Sequence, residues 1–258
     1  EDGIDVGGLS RDWFQQISKE IFDPDRGMWT NCQYNQMNME INPSSDTLYP
    51  DDYREYYRFV GRVLGKALFD EQLIPCHLAQ HIYKHILGWP VAFADLQFVD
   101  EDIYRSLQQL PDLGEDIEEM CLNFTCTEDV LGCKKVVDLL EGGSELTLTN
   151  ENLAQYLELC VKHKLLLRVK SQMAELLHGF YEVIPETLLA VFDFQELELL
   201  MCGVPNIDMK DWRNNTAYEG LFEVTRGEHQ VCRWFWQIVA DFDSKMKARL
   251  LLFVTGSS

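Results

Sequence analysis

The stretch Tyr53-Arg54-Glu55-Tyr56-Tyr57-Arg58-Phe59-Val60-Gly61-Arg62-Val63-Leu64-Gly65-Lys66-Ala67-Leu68 decides the fold. Tyr53, Tyr56, Tyr57, Val60, Leu64, Ala67 and Leu68 return at steps of three and four, which is the period of one helical face. Pro50-Asp51-Asp52 stands just before them and puts carboxylates in the first turn, where the helix dipole favours negative charge. The spacing predicts a long helix that runs to about Asp70. Gly61 and Gly65 sit four apart on it, so two missing side chains admit the close approach of another backbone. The pattern is not a glycine-rich phosphate loop.

Upstream, Leu9 to Phe22 spaces Leu9, Trp13, Phe14, Ile17, Ile21 and Phe22 as a second amphipathic helix, with Ser10 as its N-cap and Pro24 beyond its end. Met37-Asn38-Met39-Glu40-Ile41 alternates apolar and polar as a half-buried strand does. Asn42-Pro43-Ser44-Ser45 then breaks it, so a short hairpin is expected between Gly27 and Pro43. Downstream, Pro75 to Leu87 reads as a helix with His77, His81 and His85 on successive turns. That is a metal-like spacing, but no carboxylate or cysteine stands at a further fixed step, and no metal is assigned. Cys121-x4-Cys126-x6-Cys133 is no better, because an odd step puts Cys121 and Cys126 on opposite faces of a strand.

From about residue 95 to 150 the pattern changes. A short helix from Asp100 to Leu110 carries Ile103, Tyr104, Leu107 and Leu110 and is stopped by Pro111. Glu115-Asp116-Ile117-Glu118-Glu119 then leads into an alternating strand from Met120 to Thr125. Val136 to Leu139 and Leu146 to Leu148 flank Gly142-Gly143 as a hairpin with a wide loop. Thr149-Asn150 caps a helix with Leu153, Tyr156, Leu157, Cys160 and Val161 on one face, and helical patterning continues to about Tyr181. The remainder is helical: Phe192 to Met201 ending at Cys202-Gly203, a short turn at Asp208 to Trp212, and Val231 to Phe242. In the last of these Trp234, Phe235 and Trp236 point three ways around the axis. The class is therefore α+β, mainly helical, with a small α+β subdomain inserted in a helical body.

In 258 residues, 43 Asp and Glu against 22 Lys and Arg leave a formal charge of -21. Such a surface repels phosphate backbones and anionic bilayers, which argues against nucleic acid and for a basic protein as partner. The longest apolar runs, such as Leu250 to Val254, fall far short of the ~20 residues that a membrane span needs. The eight cysteines are scattered through helix-like and strand-like patterns behind an opening with no basic and apolar leader. They read as reduced thiols in the cytoplasm, with the nucleus as a second location. With no initiator Met at one end and Thr255-Gly256-Ser257-Ser258 at the other, the chain reads as an excised fragment.

No nucleophile elbow, P-loop, H-E-x-x-H or C-x-x-C string is present. Longer strings carry more information. Arg11-Asp12-Trp13-Phe14, Ile41-Asn42-Pro43, Tyr57 to Gly65 and Tyr83-Lys84-His85-Ile86-Leu87-Gly88 are followed by Thr149-Asn150-Glu151-Asn152 and Gly179-Phe180. Next come Glu196-Leu197-Glu198-Leu199-Leu200 with Gly203, Asp211-Trp212 with Asn215-Thr216 and Tyr218, and Trp234-Phe235-Trp236 with Arg249 to Gly256. In this order, over nearly the whole chain, they resemble the HECT-type ubiquitin ligases.

The resemblance implies the N-terminal lobe of that catalytic domain. Residues 1–94 and 171–242 would form its helical body, the first part with the short hairpin. Residues 95–170 would be an inserted subdomain that docks a ubiquitin-conjugating enzyme, and 243–258 a hinge, near Asp243 to Lys247, with the start of the C-terminal lobe. The family's catalytic cysteine lies in a Thr-Cys-Phe string beyond Gly256, so no cysteine here is assigned as nucleophile and the fragment is expected to be inactive alone. The implied partners are a conjugating enzyme, ubiquitin and, through domains outside the chain, protein substrates; no cofactor and no membrane insertion are implied. Alternatives from other classes are a non-catalytic scaffold derived from a ligase lobe and a cysteine or zinc hydrolase that uses His77, His81 or His85.

The docking groove maps by resemblance onto Tyr104, Ser106, Leu107 and Leu110, onto Glu118, Glu119 and Met120, and onto Tyr156 and Cys160. Leu107, Leu110, Met120 and Tyr156 would form an open apolar notch for an aromatic anchor, and Glu118 and Glu119 would meet basic residues of the partner. On the residues alone, Leu107 and Met120 read rather as internal core and Glu118-Glu119 as a solvated turn. A second ubiquitin site that some members carry would fall on Trp29 to Tyr34. There Asn31 stands in place of an aromatic and Tyr34 is the substitute.

Overall fold

The computed structural model describes residues 8–32, 38–203, 208–223, 225, 227–242, 246, 247, 250, 253 and 254. The expectations on Gln33, Tyr34, Met37, residues 243–245 and residues 255–258 lie outside the described residues. The chain divides into two compact units, Glu1–Met201 and Cys202–Ser258. The first runs α1 (Gly8–Ile21), β1 (Trp29–Asn31), β2 (Asn38–Ile41), α2 (Ser45–Leu48), α3 (Tyr53–Phe69), β3 (His77–Leu78) and α4 (Gln80–Ile86). It continues through α5 (Glu101–Gln109), β4 (Thr125–Val130), β5 (Cys133–Asp138), α6 (Leu153–Leu165), α7 (Lys170–Tyr181), α8 (Glu186–Leu189) and α9 (Phe194–Cys202). The second holds α10 (Met209–Asn214) and α11 (Gln230–Asp241).

Helix α3 buries Tyr53, Tyr57, Val60, Leu64 and Ala67, the stripe that its period requires. The hydroxyl of buried Tyr57 bonds the Met28 carbonyl and, at 3.1 Å, Ser45 Oγ, so its polar end is satisfied inside the core. The glycines of α3 face α7. A Cβ on Gly61 would lie 2.0 Å from Leu176 O and one on Gly65 3.0 Å from Phe180 O, so backbone approach explains both. Helix α1 departs from the expected stripe. It begins at Gly8, so Ser10 lies inside it and is not its N-cap, and Leu9 and Trp13 are exposed. Phe14, Ile21 and Phe22 of the expected stripe are buried, and Ser18 joins them. Ser18 Oγ donates to Phe14 O at 2.6 Å, and that bond within the helix is what lets a hydroxyl enter the core.

The expected first hairpin forms: β1 and β2 are antiparallel with Trp29 opposite Ile41. Asn42 closes it, its Nδ2 donating to Gly27 O at 2.7 Å and its Oδ1 accepting from Ser44 N at 3.0 Å. Strand β3 adds in parallel to β2, with Asn38 opposite His77. This corrects the single helix expected from Pro75 to Leu87. His77 and Leu78 are drawn into the sheet by β2, and the Leu78 amide donates to Tyr83 Oη at 3.0 Å, so α4 starts only at Gln80.

Between Leu96 and Leu165 a separate apolar cluster closes around Leu107, Ile117, Phe124, Leu148 and Tyr156. The segment Leu110–Met120 is 3-10 helical and bends at Gly114, whose φ of 54° and ψ of -125° suit glycine alone. Cys121 is left-handed at φ 50°, so the strand expected from Met120 begins instead at Thr125. The hairpin expected between 136–139 and 146–148 is also corrected. Strand β5 folds back on β4 with Val130 opposite Cys133, across Leu131 and Gly132 at φ 55° and 82°. A two-residue loop closes at lower entropy than the wide loop through Gly142, and it wins. In the smaller unit Trp236 is buried and donates to Tyr218 Oη at 2.8 Å, whereas Trp234 and Phe235 lie exposed, as three directions around a helix require. Among the described residues no helix is long and apolar enough to cross a membrane.

Candidate functional site

The predicted site residues lie on α5, on α6 and on the 3-10 segment Leu110–Met120, and of them Leu107, Leu110 and Tyr156 share one apolar cluster with Tyr104 and Cys160 packed against it. Asp100 caps α5, its Oδ1 accepting from the Ile103 amide at 3.0 Å. Asn152, one position before α6, accepts from the Thr149 amide at 2.8 Å and ties down the entry to that helix. Tyr104 stacks in tilted contact with Phe93, ring centres 5.0 Å apart, and Ser106 returns its hydroxyl to Asp102 O at 2.8 Å.

The expected open notch is corrected in one respect. Leu107 and Leu110 are each 7% exposed and Tyr156 8%, so these three are core, whereas Met120 is 51% exposed. The reason is local geometry. The 3-10 turns point Ile117 inward against Phe124, and left-handed Cys121 then swings the chain so that Met120 faces water. Tyr156 is held edge-on by Phe124 at 5.4 Å. Met120, Ile103 and Leu113 are exposed, Cys160 on α6 is half-buried, and Leu107, Leu110 and Tyr156 are buried in one apolar cluster. Ile103 and Leu113 were missed as surface residues. The signal lay in Ile103, four residues before Leu107 on the same helix, and in Leu113 before the Gly114 bend.

The segment Leu110–Met120 is strongly acidic. Asp112, Glu115, Asp116, Glu118 and Glu119 are all exposed, and no Lys or Arg lies between Leu110 and Phe124. Two half-buried thiols nearby, Cys160 and Cys126, are poor nucleophiles. Burial pushes Cys160 up to about 11, with the Tyr156 hydroxyl acting weakly the other way, and burial with Glu128 pushes Cys126 up to about 11. Thiols held protonated at neutral pH are inert.

The three imidazoles do not converge. His77 Nδ1 meets Glu198 Oε1 at 2.9 Å, His85 Nε2 meets Leu165 O at 3.2 Å, and His81 is buried with its Nδ1 unpartnered. Burial, reinforced by His85 and Arg168, holds His81 down to about 3, so it is neutral. A groove of about 600 Å³ opens where His85, Trp89 and Phe93 face Leu157, Val161 and Leu166. None of the predicted site residues lines it.

A mainly helical α+β fold with a small inserted α+β unit is consistent with the N-terminal lobe of a HECT domain. The chain belongs to the HECT-domain (ubiquitin-transferase) family, which matches residues 15–258. It is 41% identical over 259 residues to the "E3 ubiquitin-protein ligase TOM1-like" of Neurospora crassa, covering 100% of this chain and 6% of that protein. It is 39% identical to the "E3 ubiquitin-protein ligase Nedd-4" of Drosophila melanogaster and 38% identical to the "E3 ubiquitin-protein ligase NEDD4" of Homo sapiens. Each match covers 100% of this chain, with 25% and 19% of those proteins. The chain thus spans a quarter or less of the length of these three relatives.

Proposed function

We propose that the whole protein is a cysteine-dependent ubiquitin transferase and that this chain is the lobe on which a ubiquitin-loaded conjugating enzyme docks. The Thr-Cys-Phe string of the family does not occur in these 258 residues, so the acceptor cysteine belongs to sequence outside them. There its thiolate attacks the carbonyl carbon of the conjugating enzyme's thioester and expels that enzyme's thiolate. A substrate lysine amine then attacks the new thioester, forming an isopeptide bond and releasing the cysteine. The lobe contributes proximity by holding the donor thioester within reach of the acceptor.

The observation that carries this reading is the exposed Met120, directly after exposed Glu118 and Glu119, in a unit whose Leu107, Leu110 and Tyr156 are buried in one cluster. Met120 gives an adaptable apolar contact, of the kind that concentrates binding energy in few residues. The carboxylates steer a partner whose contacting surface is basic and set its orientation more than its affinity. Cys32, Cys121, Cys126, Cys133, Cys160 and Cys232 are free thiols, in keeping with a reducing cytoplasmic or nuclear compartment. The test is capture of ubiquitin-charged conjugating enzymes from a purified panel. Binding that Met120→Asp abolishes supports the docking reading, and a wild-type chain that captures no member of the panel refutes it.

A further inference from the structure

Resting on the docking reading, we infer that Asp100 and Lys164 are positioning residues whose part-buried ion pair fixes the start of α5 to the last turn of α6, and with it the spacing of the docking face. Asp100 is 5% exposed. It engages both carboxylate oxygens: Oδ1 accepts from the Ile103 amide at 3.0 Å, and Oδ2 holds Lys164 Nζ at 2.7 Å. Lys164 stands in the last turn of α6, one turn beyond Cys160 and two beyond Tyr156. One carboxylate therefore ties the start of the helix that carries Tyr104, Ser106, Leu107 and Leu110 to the end of the helix that carries Tyr156 and Cys160.

Beyond that pair the two helices share an apolar cluster, with Leu107 and Leu110 of one and Leu153, Tyr156 and Leu165 of the other among its members. Apolar burial is non-directional and tolerates a slide of one helix along the other. A charge-assisted hydrogen bond is short and directional and does not. A buried ion pair adds little net stability, because desolvating both charges offsets their attraction, and setting register is its best-attested use. Arg168, one turn further on, is engaged by Glu40 at 3.2 Å, which leaves Asp100 to Lys164.

The experiment measures affinity for the member of a purified ubiquitin-conjugating-enzyme panel that binds the 258-residue chain most tightly, with the melting temperature alongside. The double variant Asp100→Asn, Lys164→Met keeps a capping oxygen and the aliphatic stem while removing both charges. Its melting temperature is expected within about 4 °C of wild type, with affinity down about tenfold or more. Lys164→Arg, which keeps the charge, is expected to bind within about threefold of wild type. A double variant that melts and binds like wild type overturns this inference and leaves the docking reading intact. A wild-type chain that binds no member of the panel overturns the docking reading, and this inference with it. Should the double variant not fold, Lys164→Met alone carries the test, and affinity unchanged from wild type overturns the inference.

Discussion

Gly179 meets the Arg58 carbonyl so closely that a Cβ built on it would lie 1.9 Å from that oxygen. Helices α3 and α7 are thus in backbone contact, and no rotamer change relieves an added methyl. Gly179→Ala is expected to destabilise the larger unit by about 3 kcal/mol or more. Gly8→Ala, where nothing lies within 4 Å, should be neutral. Thermal melting by circular dichroism compares them, and equal melting temperatures would refute the close packing.

Leu107 and Met120 should separate stability from binding. Leu107→Ala removes a buried side chain and is expected to cost about 2 to 5 kcal/mol in urea denaturation. Met120→Ala, at 51% exposure, should stay within about 0.5 kcal/mol of wild type while weakening capture of a conjugating enzyme. Loss of stability in Met120→Ala with intact capture would reverse the two roles.

His81 predicts a pH dependence. Its folded pKa is held at about 3, below the ordinary 6.5. Below pH 6.5 the unfolded chain therefore takes up a proton that the folded chain refuses. Stability is fully present above 6.5 and falls as pH drops, by up to about 1.4 kcal/mol per pH unit from this group. His81→Met should flatten the slope of unfolding free energy between pH 6.5 and 5; an unchanged slope counts against a neutral buried imidazole.

Glu182 predicts a carboxyl that titrates late. Hydrogen bonds from Arg62 and Arg58 hold it down to about 2 against an ordinary 4.5. Its pairing is present above 4.5 and is lost only as pH falls through about 2. Carbon NMR of the side-chain carboxyl reads this directly, and a midpoint near 4.5 would show that the arginines do not engage it in solution.

The cysteines should differ in reactivity. Cys32 is buried, and burial with Glu40 beside it pushes its thiol far up, whereas Cys121 and Cys133 are exposed. Alkylation with iodoacetamide at pH 7.5, followed by peptide mass spectrometry, is expected to modify Cys121 and Cys133 first and Cys32 only on unfolding. Early modification of Cys32 would contradict its placement.

Where the sequence was legible, the controlling interactions were local or compositional. The α3 stripe followed from the period of Tyr53, Tyr57, Val60 and Leu64, and the first hairpin from the alternation that ends at Asn42-Pro43. The β4–β5 pairing was missed because Leu131-Gly132 competes with Gly142-Gly143 as a turn, and loop closure rather than residue pattern chooses between them. His77 was misplaced because β3 owes its existence to a partner strand that ends 36 residues earlier, at Ile41.

By itself, the amino-acid sequence determined a helical body with two glycines on one face, an inserted α+β segment and an acidic stretch around Glu118 and Glu119. Periodicity and charge are properties of neighbouring residues, and they survive without coordinates. Tertiary structure alone decided that Leu107 and Tyr156 are buried and Met120 exposed. An apolar side chain is core or contact according to what covers it, and here the cover is Ile117 and Phe124, placed by a bend at Gly114 and a left-handed Cys121.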